Sequence, residues 1–162
     1  MEASLEARLG EILREQDLTI ATAESCTGGL IASRLTDIAG SSAYVIGGIV
    51  AYSNFAKQSL LDVRQGTLMA YGAVSEPTAE EMAVGAQTLF KSQYALSVTG
   101  IAGPGGGTSQ KPVGLTFIGL AHPSSEVDVQ RFVWQGDRLT NKQKSADAAL
   151  HMLLEAVTAA VR

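Results

Sequence analysis

Residues 18–38, with the sequence LTIATAESCTGGLIASRLTDI, determine the class of fold. The β-branched run Leu18–Ala23 predicts a buried strand, and the segment Thr27–Ile38 has the apolar spacing of a helix in spite of its two glycines. A strand that leads directly into a helix is the building unit of α/β proteins. The residues between them, Glu24–Cys26, therefore lie at the carboxyl end of a strand, where open α/β sheets bind their ligands.

The rest of the chain alternates between strand and helix patterns in the same way. We predict further helices at 3–15, 54–61, 75–91 and 139–160, and further strands at 44–52, 94–99, 113–121 and 127–134. The turn residues 122–125, His-Pro-Ser-Ser, favour a hairpin between the last two strands. This order predicts an α/β fold, a three-layer α/β/α sandwich with a mixed, roughly five-stranded sheet, in one domain spanning residues 1–162. Its binding loops would start at Glu24, Ser53 and Gly100.

Composition and charge exclude several classes of protein. The 162 residues carry a net charge of −4, which argues against a nucleic-acid partner, and a small anionic ligand would need a locally positive site. No apolar stretch is long enough for a membrane span, and the first residues lack a signal-type apolar region, so we expect a cytoplasmic protein. One cysteine and two distant histidines form no zinc site, and we expect no metal and no cofactor.

Two windows without charge, residues 39–56 and 92–110, each end at a lysine, Lys57 and Lys111. One interpretation is a pair of buried strands with their adjoining turns. A second, compatible interpretation is a water-poor cleft into which one lysine projects. Burial lowers the pKa of a lysine and can make the neutral amine a general base.

Two nucleophiles stand side by side after the first predicted strand. A hydroxyl at Ser25 or a thiol at Cys26 could attack a carbonyl while the first-turn amides of the following helix stabilise the oxyanion. The alternative is structural: Ser25 or Thr27 caps the helix, and Cys26 is a small buried residue. The residues alone do not choose between the nucleophiles, because a helix dipole activates a thiol, whereas a serine needs a separate base.

A lysine is the best candidate for that base. His122 lies in a predicted hairpin turn and His151 within the last predicted helix, so a Ser-His-Asp triad has little support. Lys57 follows closely after a predicted strand. Tyr52 closes that strand, where it could relay a proton or orient the lysine, or be an ordinary aromatic residue at a strand end.

The glycine-rich segment 100–114, GIAGPGGGTSQKPVG, fits neither common phosphate-binding motif. A Walker A loop needs a helix after its Gly-Lys-Ser/Thr, but Lys111 is followed by Pro112. The dinucleotide fingerprint fails because Thr108 occupies the position of its last glycine. The segment is then either a plain connection or a tight loop whose amides line a pocket.

Five motifs in order resemble the CinA C-terminal domain family: TAESCTGG, YSNFAK, GAVSEPTAEEMA, VTGIAGPGGGTSQKPVG and GDR. The resemblance runs from about Leu5 to Val161. Stand-alone members of the family are nicotinamide-nucleotide amidohydrolases (NMN deamidases), and many other members are fused to a larger domain. The resemblance implies hydrolysis of the carboxamide of nicotinamide mononucleotide (NMN) to nicotinate mononucleotide and ammonia. Two alternatives stay open: a nucleotide-binding domain without chemistry, and a hydrolase that uses Cys26.

The resemblance also implies residue roles. Ser25 would be the nucleophile and Lys57 its base, with Tyr52 and Thr99 completing the proton path and holding the lysine. Amides within 27–29 or 100–102 would receive the oxyanion. The implied substrate-binding residues are Glu24, Cys26, Thr27, Gly28, Gly29, Asn54, Gly100, Ile101, Ala102, Gly103, Arg138 and Lys142.

The proposed phosphate clamp lies near the start of the last predicted helix. The segment 131–144 contains four cations and only one acidic residue, and this bias supports Arg138 as the clamp. The alternative is that these charges form the solvated start of a helix. The family usually has a second arginine where this chain has Lys142, which offers a point charge rather than a fork. The implied partner is a small-molecule substrate, and a homodimer is left open.

Overall fold

A computed structural model describes residues 1–161 and shows a mixed five-stranded sheet between two layers of helices. The strands are β1 (Ile20–Glu24), β2 (Val45–Val50), β3 (Tyr94–Gly100), β4 (Leu115–Ala121) and β5 (Val127–Val133). Their order in the sheet is β2-β1-β3-β4-β5. The first three are parallel, and β4 and β5 run antiparallel as a hairpin. The predicted fold class is therefore confirmed.

In residues 1–161, six helices cover the sheet: α1 (Leu5–Glu15), α2 (Leu30–Thr36), α3 (Asn54–Leu61), α4 (Gln65–Tyr71), α5 (Glu76–Phe90) and α6 (Arg138–Ala160). A short 3₁₀ turn, Ser41–Ala43, precedes β2. One apolar core lies between the sheet and α1, α2 and α6, and a second lies between the sheet and α3, α4 and α5. Within residues 1–161, no helix combines the length and the apolar character needed to span a bilayer.

Helix α2 begins later than the sequence predicts, at Leu30 instead of Thr27. Gly28 and Gly29 have φ values of 62° and 103°, in the left-handed region that glycine adopts without steric penalty. A turn over residues 25–29 therefore separates β1 from α2. The prediction that the first turn of a helix directly follows Ser25 and Cys26 is wrong for this reason.

Helix α4 was not predicted. It has only seven residues and buries just Thr67 and Leu68, so it shows no repeating apolar stripe. Its place between two other helices depends on tertiary packing rather than on its own propensity.

The close approach of α3 and α5 depends on Gly85, where a Cβ atom would collide with the carbonyl oxygen of Leu61. We expect Gly85→Ala to lower the free energy of unfolding by about 1–3 kcal/mol, as overpacking does. Gly66→Ala is the matched control, since a Cβ there meets nothing within 4 Å. The control should raise stability by about 0.4–1 kcal/mol through the unfolded state. Urea titrations measure both; equal stability of Gly85→Ala and the parent would contradict the packing argument.

Candidate active site

A cavity of about 180 Å³ opens at the carboxyl ends of the three parallel strands. Its lining comes from the turn after β1, from the segment after β2 and the helix α3 that follows it, from the end of β3 and the loop beyond it, from the loop before α5 and from the first residue of α6. The lining residues are Ser25, Cys26, Tyr52, Lys57, Ala73, Val74, Thr99, Gly100, Ala102 and Arg138. A larger cavity of about 450 Å³ lies between α3 and α5, but no serine, cysteine or lysine lines it. The smaller cavity is therefore the candidate active site.

The cavity brings Ser25 and Lys57 into direct contact. Lys57 Nζ lies 2.9 Å from Ser25 Oγ, and the two residues are only 1% and 7% exposed. Ser53 caps α3 by accepting a hydrogen bond from Ala56 N at 3.0 Å, and this cap sets the start of the helix that carries Lys57. A nucleophile and a base thus meet at hydrogen-bond distance.

Burial favours the neutral form of the Lys57 amine, while two carbonyl oxygens fix its position. Its Nζ donates to the carbonyl oxygens of Ala51 at 2.9 Å and Tyr52 at 3.4 Å. Among residues 1–161 it forms no salt bridge, and burial lowers the pKa of Lys57 below its ordinary value. A neutral amine has two N–H groups for the two carbonyls and one lone pair, which is left for the hydroxyl of Ser25.

Burial also favours the neutral form of the Cys26 thiol, but for a thiol the neutral form is the unreactive one. Burial raises the pKa of Cys26 to about 12, so the thiol stays protonated at neutral pH. The dipole argument for a reactive thiol also fails, because α2 begins four residues further on. The geometry therefore favours Ser25 over Cys26 as the nucleophile.

Tyr52 and Thr99 line the cavity without bonding the lysine amine through their side chains. Tyr52 is 63% exposed, and its phenol oxygen accepts a hydrogen bond from Arg138 Nη2 at 3.0 Å. The buried Thr99 hydroxyl donates to the carbonyl oxygen of Ala73 at 2.8 Å and so ties the loop before α5 to β3. Tyr52 contributes its backbone carbonyl to Lys57, a contact that a reading of side chains does not anticipate.

Two cations of α6 lie beside the cavity. Arg138 also donates through Nη1 to the carbonyl oxygen of Gly103 at 2.8 Å, so its guanidinium bridges the segments after β2 and β3. Lys142 follows one turn later, and its Nζ lies 3.6 Å from the position that a Cβ of Gly28 would occupy. Neither cation forms a salt bridge in the part of the chain that the structure describes.

Eight of the sequence-predicted binding residues lie outside the lining of the cavity: Glu24, Thr27, Gly28, Gly29, Asn54, Ile101, Gly103 and Lys142. Asn54 is exposed at the start of α3, and the carboxylate of Glu24 bonds to the chain itself. Ala73 and Val74 line the cavity although reasoning from single residues missed them. Their only signal was their place in the GAVSEPTAEEMA motif.

Some backbone amides near Ser25 are already hydrogen-bonded and cannot serve an oxyanion. Gly28 N donates to the carbonyl oxygen of Ser25 at 3.1 Å, and Ile101 N donates to that of Leu115 at 2.9 Å. The amides of Cys26 and Ala102 border the cavity and, within residues 1–161, donate to no other residue. Both are therefore available to a negatively charged oxygen, as are, within residues 1–161, the amides of three further lining residues, Tyr52, Ala73 and Val74.

The remaining candidates from the sequence lie away from the pair. Lys111 donates to the carbonyl oxygen of Tyr71 at 2.6 Å. His122 contacts Asp128 at 2.7 Å beyond the end of β4, at the opposite edge of the sheet from Ser25. In residues 1–161, no group of three or more His, Cys, Asp or Glu side chains could hold a metal ion.

Relatives of known sequence carry the same domain within longer proteins. The chain is 52% identical over 158 residues to a CinA-like protein of Chloroherpeton thalassium, covering 96% of this chain and 38% of that protein. It is 50% identical over 152 residues to a CinA-like protein of Microcystis aeruginosa, covering 93% of this chain and 36% of that protein. The chain thus spans little more than a third of the length of these curated relatives.

Solved structures of similar length share the fold. The competence/damage inducible protein CihA from Agrobacterium tumefaciens superposes with a TM-score of 0.91 at 41% identity over 98% of both chains. The competence damage-inducible protein A from Klebsiella pneumoniae does so with a TM-score of 0.92 at 34% identity over 95% of both chains. The model of the CinA C-terminal domain matches residues 2–157. The resemblance drawn from the five motifs is confirmed, and the chain belongs to the CinA C-terminal domain family.

Proposed function

We propose that this protein hydrolyses the carboxamide of nicotinamide mononucleotide, with Ser25 as the nucleophile and Lys57 as the general base. The contact of 2.9 Å between Lys57 Nζ and Ser25 Oγ, in a setting that lowers the pKa of the lysine, is the observation that carries the proposal. A serine needs an adjacent base to be nucleophilic, and a lysine serves as that base only when it is neutral.

The reaction divides into two steps. Ser25 Oγ attacks the carboxamide carbon and its proton passes to Lys57 Nζ, while the oxyanion accepts hydrogen bonds from the amides of Cys26 and Ala102. Lys57 then returns the proton to the leaving nitrogen, which departs as ammonia and leaves an ester on Ser25. Lys57 next takes a proton from water, the hydroxide attacks the ester, and nicotinate mononucleotide leaves as Ser25 recovers its proton.

The size of the cavity limits what it can enclose. At about 180 Å³ it is smaller than the 300–1,000 Å³ that encloses a drug-sized ligand, so it suits a pyridine carboxamide better than a whole nucleotide. The ribose phosphate would then lie outside, next to Arg138 and Lys142. Arg138 offers a planar fork to a phosphate and Lys142 a second charge, a local positive site on a chain of net charge −4.

Ammonia release from purified protein tests the proposal. The protein should release one ammonia for each NMN converted to nicotinate mononucleotide, and it should act far more slowly on free nicotinamide, which lacks the phosphate. Protein inactivated by heat is the control. Binding of NMN without any release of ammonia would contradict the proposal and support a binding domain instead.

The pH profile should show the neutral lysine. We expect kcat/KM for NMN to rise with pH and then level off, with a midpoint below the ordinary pKa of a lysine, because burial lowers the pKa of Lys57. Only the deprotonated amine accepts the serine proton, so activity is lost as the pH falls through this pKa. Initial rates between about pH 5 and pH 10 measure the profile. A rate that falls steadily as the pH rises over this range is incompatible with a neutral base.

A further inference from the structure

Glu24 is a buried carboxylate next to the nucleophile, and it bonds to the chain rather than facing the cavity. Glu24 is only 1% exposed. Oε1 accepts hydrogen bonds from Thr27 Oγ1 at 2.7 Å and from Ile31 N at 2.8 Å. Oε2 accepts one from Ala32 N at 3.0 Å. Burying a carboxylate is costly unless its oxygens accept hydrogen bonds, as both oxygens of Glu24 do.

These three hydrogen bonds join the turn at residues 25–29 to the start of α2. The turn contains two left-handed glycines, which restrict the backbone little by themselves. At its other side the turn is attached to the sheet, since Ser25 N donates to the carbonyl oxygen of Val98 at 2.9 Å. Hydrogen bonds therefore hold the turn that carries Ser25 Oγ and the amide of Cys26 on both sides: to β3 through Ser25 N, and to α2 through the carboxylate of Glu24.

We propose that Glu24 is a positioning residue that fixes the Ser25 turn against α2 and thereby aligns both the nucleophile and the Cys26 amide with the reacting carbonyl. This inference rests on the proposed function, and it departs from the substrate-binding role that the family resemblance implies for Glu24. Small displacements of a nucleophile have large effects on rate, about 100-fold for a shift of roughly 1 Å. Substrate affinity depends on other groups, so the loss should appear in kcat.

Glu24→Gln tests the role of the carboxylate. The amide keeps the shape of the side chain but presents an NH₂ group to donors, so one of the three hydrogen bonds is lost. We expect kcat for NMN to fall about 100-fold while KM changes little. Labelling of Ser25 by a small sulfonyl fluoride should slow in parallel, and this reaction needs neither NMN nor its binding residues.

A pair of variants at Thr27 provides a second test by rescue. Thr27→Val removes the hydroxyl that donates to Glu24 but keeps the volume of the side chain, and we expect kcat to fall about 10-fold. Thr27→Ser restores the hydroxyl and should recover most of the lost rate. Thr36→Val is the matched control, because the hydroxyl of Thr36 bonds only to carbonyl oxygens of α2 itself, and it should leave the rate unchanged.

The outcomes separate this inference from the proposed function. If the parent protein does not hydrolyse NMN, the labelling rates of Ser25 still decide whether Glu24 positions it. A Glu24→Gln variant with raised KM and unchanged kcat would identify Glu24 as a substrate ligand and overturn the inference. Unchanged labelling in Glu24→Gln would overturn it as well. If Glu24→Gln does not fold, the contrast between Thr27→Val and Thr27→Ser gives the answer, and equal rates in those two variants would refute the positioning role.

Discussion

Ser25→Ala is expected to reduce ammonia release from NMN by roughly four to six orders of magnitude, as removal of the nucleophile does in serine hydrolases. Alanine removes only the Oγ atom that lies 2.9 Å from Lys57 Nζ and leaves the turn in place. Without that oxygen no ester can form on the protein, and Lys57 has no hydroxyl proton to accept from residue 25. Initial rates on NMN, with substrate binding measured by calorimetry, separate a chemical defect from a binding defect.

Cys26→Ala is the matched control for Ser25→Ala. The thiol is 8% exposed and its pKa is raised to about 12 by burial, so we expect the variant to keep substantial turnover. Any loss should reflect packing, because Cys26 belongs to the apolar core beneath the cavity. The reverse pattern, with an active Ser25→Ala and an inactive Cys26→Ala, would assign the reaction to the thiol.

Lys57→Met is expected to lower kcat by about 10²–10⁴-fold, the usual contribution of a general base. Methionine has nearly the length of the lysine stem and suits a site that is 1% exposed. It provides no lone pair of comparable basicity for the Ser25 proton and no donor for the carbonyls of Ala51 and Tyr52. The dissociation constant for NMN should stay close to that of the parent, since in the proposed complex the phosphate and the ring would contact other residues.

Lys111→Met provides the control for the loss of one positive charge. Lys111 donates to the carbonyl oxygen of Tyr71 and does not line the cavity, so its variant should hydrolyse NMN at nearly the parental rate. An unchanged rate in Lys57→Met would dismiss the lysine base. A Lys57→Met variant that no longer binds NMN would instead place the amine among the binding groups.

The sequence allowed the fold and the edge of the sheet that holds the site to be predicted, because both depend on local signals. Alternating strand and helix patterns define a parallel sheet, and the carboxyl ends of its strands coincide with the loops after β1, β2 and β3. The uncharged window before Lys57 also carried real information, since that lysine is buried. The same signal before Lys111 did not, because its amine bonds to a helix-end carbonyl outside the cavity.

The parts of the site that the sequence did not allow to be predicted depend on backbone geometry and on distant contacts. The left-handed φ values of Gly28 and Gly29 delay α2, and no helix propensity expresses that geometry. Lys57 Nζ is held by hydrogen bonds to backbone carbonyl oxygens. Because every residue carries a carbonyl, the identity of Tyr52 does not indicate this contact. Ala73 reaches the cavity through a hydrogen bond to Thr99, 26 residues away along the chain.

The burial of Lys57 also makes the folded chain less robust. Folding lowers the pKa of this amine, so at pH values between the lowered and the ordinary pKa the unfolded chain binds a proton that the folded chain does not. The contribution of Lys57 to the free energy of unfolding therefore increases with pH across that window and is smallest below it, where the full penalty of a desolvated ammonium opposes folding. The burial that keeps Lys57 neutral for the proposed reaction thus lowers the stability of the domain. Such a trade-off is common where activity requires a strained or unfavourable group.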